Sequence, residues 1–278
     1  TGMSTNYPIP MQHPMLDARI QDGVLTVAMG TAQAPACFDV PAIEALDQIV
    51  KQLSTDQQVR VLVFRASGAQ FGQGLDPQAF EHMFADDRAR VQQALHTVRR
   101  WRNGQFRQLP QPVLAVIEGD CAGAAITLVV ACDIALCSDD ARFMLNGEDA
   151  RWLALEPEAQ PSAEWLCARA LSYHYLTGRS FNGQEAERMG LVTFSHPNGS
   201  LANELSQLLT SLCEKDPLAL QFTKETLAHV GSMSWDAAVS FTAAKFAEIK
   251  ARQADIPSAR ASAIAGFLAG KNKPGLGG

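Results

Sequence analysis

Two short runs, Val59-Arg60-Val61-Leu62-Val63-Phe64 and Val113-Leu114-Ala115-Val116-Ile117, are almost wholly apolar, and each leads through a glycine-bearing loop into a helical stretch. Runs of this length, rich in β-branched residues, read as strands buried in a core. Buried strands that open onto helices confine a chain to layered α/β architectures. Upstream, two apolar runs within residues 16–29 flank Gln21-Asp22-Gly23, a hairpin signal. Asp39 can cap a helix whose stripe is Ile43, Leu46, Ile49, Val50 and Leu53, at three-four spacing. Residues 124–131 are small and apolar all round, as in a buried helix, and residues 133–137 and 141–145 read as two more strands.

Past Pro161 the strand signals largely disappear, and helical stripes follow at 165–175, 184–189, 201–212, 217–229, 235–252 and 258–268. The expected organisation is a disordered Pro-rich arm over residues 1–13, an α/β core over 14–195 and a helical C-terminal region over 196–278. Thr1-Gly2 ahead of Met3 reads as a tag remnant.

The 278 residues carry a net charge of -6, which disfavours nucleic acid as a partner, because phosphate binding needs clustered Lys and Arg. The longest apolar run, residues 126–131, falls far short of the roughly 18 residues of a membrane span. Six cysteines (Cys37, Cys121, Cys132, Cys137, Cys167 and Cys213) form no C-x-x-C pair and have no His at zinc spacing. They read as reduced structural thiols, with no metal site, and the start of the chain has no basic, apolar leader. The cytoplasm is the expected compartment.

The chemistry is expected in the two loops, Gln70-Phe71-Gly72-Gln73-Gly74-Leu75-Asp76 and Gly119-Asp120-Cys121-Ala122-Gly123-Ala124-Ala125. Small residues there let a ligand approach free backbone N–H groups at a helix N-terminus. Two such groups converging on one oxygen would form an oxyanion hole. Neither loop matches a P-loop or the dinucleotide fingerprint.

Phe71-x-x-Gly74-x-Asp76 resembles the first signature of the enoyl-CoA hydratase/isomerase (crotonase) superfamily. Gly119-x-x-Ala122-Gly123-Ala124-Ala125, leading to Cys132-Asp133-Ile134, resembles its second. Ala141-Arg142-Phe143, Leu176-Thr177-Gly178-Arg179, Glu185-Ala186, Gly190-Leu191-Val192 and Phe267-Leu268-x-x-Lys271-x-Lys273-Pro274 follow in family order, so the likeness spans about residues 15–275.

The resemblance implies a crotonase-like α/β spiral of strand-strand-helix turns with a C-terminal helical oligomerisation region that builds homotrimers or hexamers. It implies an acyl-CoA or acyl-carrier thioester as partner, and no cofactor beyond the coenzyme A that is part of the substrate. By the motif positions, the oxyanion donors are the backbone N–H groups of Leu75 and Ala124, and Ala69, Phe71, Gly72, Gly74, Gly123 and Lys271 line or hold the coenzyme A thioester. Ala124 and Ala125 replace glycines of the usual triple-Gly turn, and each added methyl narrows the space beside the thioester carbonyl.

The family's hydratases hold one water between two glutamates. The first of these positions falls on Thr127, whose hydroxyl is no general base near neutral pH. The second falls on Gly147, followed by Glu148 and Asp149. Glu148 reads either as the single acid/base or as a capping carboxylate, and Thr127 either as an orienting hydroxyl or as a small core residue. Asp76 reads as a helix cap, Asp133 as a turn anchor and His82 as a surface histidine. The arginines between residues 88 and 107 face either solvent or the phosphates of coenzyme A.

Three functions are expected from this pattern: a hydratase/isomerase-like enzyme working through an enolate; a family decarboxylase, C–C lyase or hydrolase; or a non-catalytic acyl-thioester-binding oligomer.

Overall fold

The computed structural model describes residues 2–101, 105–145, 168–254 and 268–269. It divides into two compact units, Thr1–Glu214 and Lys215–Gly278. In the first unit the chain repeatedly lays one strand into a large sheet, a second into a smaller layer, and then a helix. Strands β3 (Val24–Met29) and β4 (Cys37–Phe38) precede helix α1 (Val40–Leu53). Strands β5 (Val61–Ala66) and β6 (Gly74–Leu75) precede α2 (Pro77–Asp86), α3 (Arg88–Arg100) and the short α4 (Phe106–Gln108). Strands β7 (Val113–Ile117) and β8 (Asp120–Ala122) precede α5 (Ala124–Ala131), and β9 (Ile134–Ser138) and β10 (Arg142–Met144) begin the next turn.

With β1 (Thr5–Asn6), β2 (Leu16–Gln21) and β12 (Phe194–His196), the large sheet has the order β1-β2-β3-β5-β7-β9-β12. It is parallel from β3 onward. The smaller layer pairs β8 with β10, β10 with β11 (Phe181–Asn182), and β4 with β6. This is the strand-strand-helix spiral expected from the motifs.

Burial on both faces explains the apolar runs. Leu62 and Phe64 of β5 face the main core while Val61 and Val63 face a second cluster, and β7 divides likewise. Helix α8 (Leu201–Glu214) packs Leu201, Leu205, Leu208 and Leu212 on that outer face. A parallel sheet covered on both sides needs unbroken hydrophobic strands. Helix α1 starts where Asp39 accepts a hydrogen bond from Ala42 N at 2.8 Å, and its buried stripe is the one read from the sequence. The β2–β3 hairpin turns at Asp22 and Gly23, with φ of 49° and 81°, as a type I′ turn requires.

Three expectations change. The N-terminal arm is tied down: Thr5–Asn6 pairs with β2, Tyr7 is buried, and its hydroxyl donates to Asp56 Oδ2 at 2.6 Å. One aromatic ring supplies burial that the Pro-rich composition hides. The compact core runs to Glu214 rather than residue 195, because the leucines of α8 seal the sheet. Two strands, β11 and β12, lie past Pro161, alongside α6 (Ala168–Thr177) and α7 (Gly183–Met189).

The second unit contains α9 (Pro217–Val230) and α10 (Trp235–Ala254). Asp216 caps α9, and Lys245 bridges Glu225 and Glu248 at 2.8 and 3.3 Å above the buried Phe222 ring. The stripe at 258–268 lies outside the described residues except for Leu268.

Candidate active site

The two glycine-bearing loops are bound to each other. Phe71 N and Gly72 N donate to Asp120 O at 2.9 and 3.2 Å, and Ala122 N returns a bond to Gly72 O at 2.9 Å. Phe71 is fully buried and anchors the first loop in the core. Asp120 is clamped by the Arg142 guanidinium through two bonds of 3.1 and 2.6 Å. The exposed Ala69 turns its carbonyl onto Gly119, where a Cβ would collide with it.

Gly74 sets the geometry. Along a regular strand, the N–H groups facing one neighbour recur every second residue. Here Gln73 N donates to Ala36 O and Asp76 N to Phe38 O, both at 2.9 Å. The donors that face β4 are thus three residues apart. The slip in phase falls at Gly74, whose φ is +95°, a conformation open to glycine. A Cβ on Gly74 would lie 2.7 Å from Ala124 N, so the Leu75 and Ala124 nitrogens flank the same glycine. Ala124 is the first residue of α5, where backbone N–H groups have no partner within the helix. Gly123, at φ 53° and ψ -131°, starts the helix without a side-chain cap.

The loops therefore bring together Phe71, Gly72, Gly74, Leu75, Gly123 and Ala124. Thr127 follows one turn into α5; it is buried, and among the described residues its Oγ1 has no hydrogen-bond partner. Glu148, Asp149, Lys271 and Lys273 lie outside the described residues. Asp76 caps α2 through Gln78 N and Ala79 N at 3.0 Å each, and Asp133 Oδ2 accepts from Val113 N at 2.8 Å. Both therefore hold backbone in place. His82 is exposed on α2. Arg90 forks onto Glu44 at 2.7 and 2.6 Å and Arg88 stacks over Phe84, so these two arginines serve the helix surface.

Cys37, read above only as one of six structural thiols, lies beside this site. It pairs in register with Gly74, and burial, then Asp76 and Asp39, push its thiol above the usual value. Its only sequence signal was the short Ala36-Cys37-Phe38 run ahead of the Asp39 cap. No group of three or more His, Cys, Asp or Glu able to hold a metal occurs among the described residues. No helix among them is long and apolar enough to cross a membrane.

The family model described as enoyl-CoA hydratase/isomerase matches residues 19–260. The chain belongs to the enoyl-CoA hydratase/isomerase family. It is 26% identical over 262 residues to the hydroxycinnamoyl-CoA hydratase-lyase of Pseudomonas fluorescens, covering 92% of this chain and 93% of that protein. It is 27% identical over 197 residues to a mitochondrial Δ(3,5)-Δ(2,4)-dienoyl-CoA isomerase of Dictyostelium discoideum, covering 68% and 67%. The crystal structure of an enoyl-CoA hydratase from Bacillus anthracis superposes with a TM-score of 0.79 at 20% identity, covering 94% of this chain and 98% of that one. Hydratases, lyases and isomerases all occur in the enoyl-CoA hydratase/isomerase family, which acts on acyl-CoA thioesters.

Proposed function

We propose that the chain is a hydratase/isomerase-type enzyme that moves a proton on an acyl-CoA thioester through an enolate. Its oxygen would be held by the backbone N–H groups of Leu75 and Ala124. The observation that carries this reading is the left-handed Gly74, which interrupts the two-residue phase of the donors facing β4 and lies against Ala124 N; a Leu75 N–H out of that ladder would be available to the thioester oxygen. When the α C–H bond breaks, its electron pair passes into the new C=C bond and charge collects on the thioester oxygen. Prealigned donors in a dry site stabilise that charge by several kcal/mol.

Glu148 is assigned the proton: its carboxylate takes it from the α-carbon and returns it there or to a carbon farther along the chain. A lone carboxylate suits such shuttling better than water addition, which uses two glutamates in the family pattern. The only coenzyme required is the one the substrate carries.

Thr127 favours a second reading. It is a family decarboxylase, C–C lyase or hydrolase acting on a CoA or carrier-bound thioester; of these a decarboxylase fits a hydroxyl at that position best, because loss of carbon dioxide needs the oxygen-binding donors but no strong base. The protomer is assigned to a homotrimer or hexamer, supported by Trp235, Val239 and Phe246, which are exposed along one face of α10.

The test is solvent deuterium exchange at the α-carbon of butyryl-CoA, followed by mass spectrometry, for the wild type and Glu148→Gln. Exchange that disappears in the variant supports proton shuttling by Glu148. Exchange that survives moves the base elsewhere. Binding without exchange favours the second reading or a non-catalytic thioester binder.

A further inference from the structure

The two glycine-bearing loops meet at one residue. Asp120 O accepts from both Phe71 N and Gly72 N, at 2.9 and 3.2 Å. Phe71 and Gly72 lie shortly before Leu75, as Asp120 lies shortly before Ala124. From its other edge the second loop is held by β10: Arg142 N donates to Gly119 O at 3.0 Å, and Gly123 N donates to Met144 O at 3.1 Å. Strands β8 and β10 pair in parallel over three residues each, with Arg142 opposite Asp120. Strands this short lie at the lower limit of the usual range and give the ladder little rigidity of its own.

Side chains supply what the ladder lacks. Asp76 and Asp133 use their carboxylates on backbone N–H groups. Asp120 gives both oxygens to the Arg142 guanidinium, with Nε donating to Oδ1 at 3.1 Å and Nη2 to Oδ2 at 2.6 Å. Two parallel bonds between planar groups fix direction as well as distance. Arg65 meets Glu118, just ahead of the same loop, through one longer contact of 3.5 Å. The Arg142 side chain is 54% exposed and that of Asp120 31%, and exposed ion pairs add little to global stability. What this one fixes is local: the residue whose carbonyl ties the loops together.

We propose that Arg142 is a positioning residue: by clamping Asp120 it sets the spacing of the Leu75 and Ala124 N–H groups, without touching the thioester. This rests on the reading above that those groups hold the thioester oxygen. Enolate stabilisation needs both donors at hydrogen-bond distance from the place where charge collects, and a misplacement of about 1 Å costs on the order of 100-fold. Loosening the clamp moves the loops by less, so the loss is about tenfold. It falls on the charged form of the ligand. A neutral thioester makes weaker bonds to the same donors and binds nearly as before.

The probes are acetoacetyl-CoA near neutral pH, followed by the ultraviolet band of its enolate, and butyryl-CoA, titrated calorimetrically. The proteins are the full chain as wild type, Arg142→Met, Arg142→Lys, Asp120→Asn and the double variant of Arg142→Met with Asp120→Asn. Arg142→Met keeps an unbranched stem and loses the fork. It should lower the enolate-to-neutral ratio of bound acetoacetyl-CoA about tenfold, with butyryl-CoA affinity within about twofold of the wild type and Tm within about 3 °C. Arg142→Lys, a charge without the fork, should recover part of the ratio. Asp120→Asn should match Arg142→Met, and the double variant should lose no more than either, because the pair acts as one unit. An unchanged ratio in Arg142→Met and Asp120→Asn, or losses that add in the double variant, overturns the inference and leaves the thioester reading standing. Loss of butyryl-CoA affinity by the same factor as the ratio, or a larger fall in Tm in both single variants, overturns it too, by showing a merely structural role. A wild type that binds neither thioester, or whose bound acetoacetyl-CoA stays neutral, overturns the thioester reading and this inference with it.

Discussion

An alanine at position 74 would carry its Cβ 2.7 Å from Ala124 N at a φ of +95°. Either the strained backbone or the second loop must then move. Gly74→Ala should cost about 2–4 kcal/mol in urea unfolding. It should lower the rate of α-proton exchange on butyryl-CoA by roughly 100-fold or more, as expected when an oxyanion donor is displaced. The buried thiols should be inert. Burial pushes Cys137 up to about 12, against a smaller lowering by its bond from Ser195, and it raises Cys121 further. At pH 8 the thiolate of Cys137 is then about one part in 10,000, so thiol-specific reagents should label neither residue in the folded protein; rapid labelling at pH 8 would contradict that burial.

At this scale the sequence was legible where side chains speak. Phe71, Gly72 and Gly74 mark the first loop by type and spacing. The slip in donor phase at Gly74 was not legible, because it depends on which carbonyls Gln73 and Asp76 find on β4. Nor could spacing tell an orphaned hydroxyl at Thr127 from a satisfied one.

Helix α8 is the element on which the sheet's outer face depends, and Leu201 is its deepest residue at 2% exposure. Leu201→Ala should cost about 2–4 kcal/mol of stability through lost burial and the cavity left behind. Asp39→Ala should cost about 1 kcal/mol, seen as a lower Tm, by removing the cap of α1. The strands of the large sheet that are covered on both faces announced themselves as unbroken apolar runs. Strands β1, β4, β6, β11 and β12 have two or three residues each, too few for any period to register. The leucines of α8 gave a clear stripe, but a stripe does not say which surface it covers.

At the scale of the whole molecule, Trp235 is 82% exposed, and Val239 and Phe246 share its face of α10. Spacings of four and eleven residues return to nearly one direction on a helix, and an apolar face of this kind marks an interaction surface. The 30.0 kDa chain should therefore run as a trimer of about 90 kDa or a hexamer in light scattering, with Trp235→Glu combined with Phe246→Glu shifting it toward the monomer. A wild type that runs as a monomer would remove that expectation. The central claim is that two backbone N–H groups beside Gly74 stabilise a thioester enolate. Its most direct test is a titration with acetoacetyl-CoA at neutral pH, following the ultraviolet band of the enolate, for the wild type and Gly74→Ala. The expected result is an enolate band that grows with the bound fraction in the wild type and is lost in the variant. Acetoacetyl-CoA that binds the wild type and stays in its neutral form would contradict the claim.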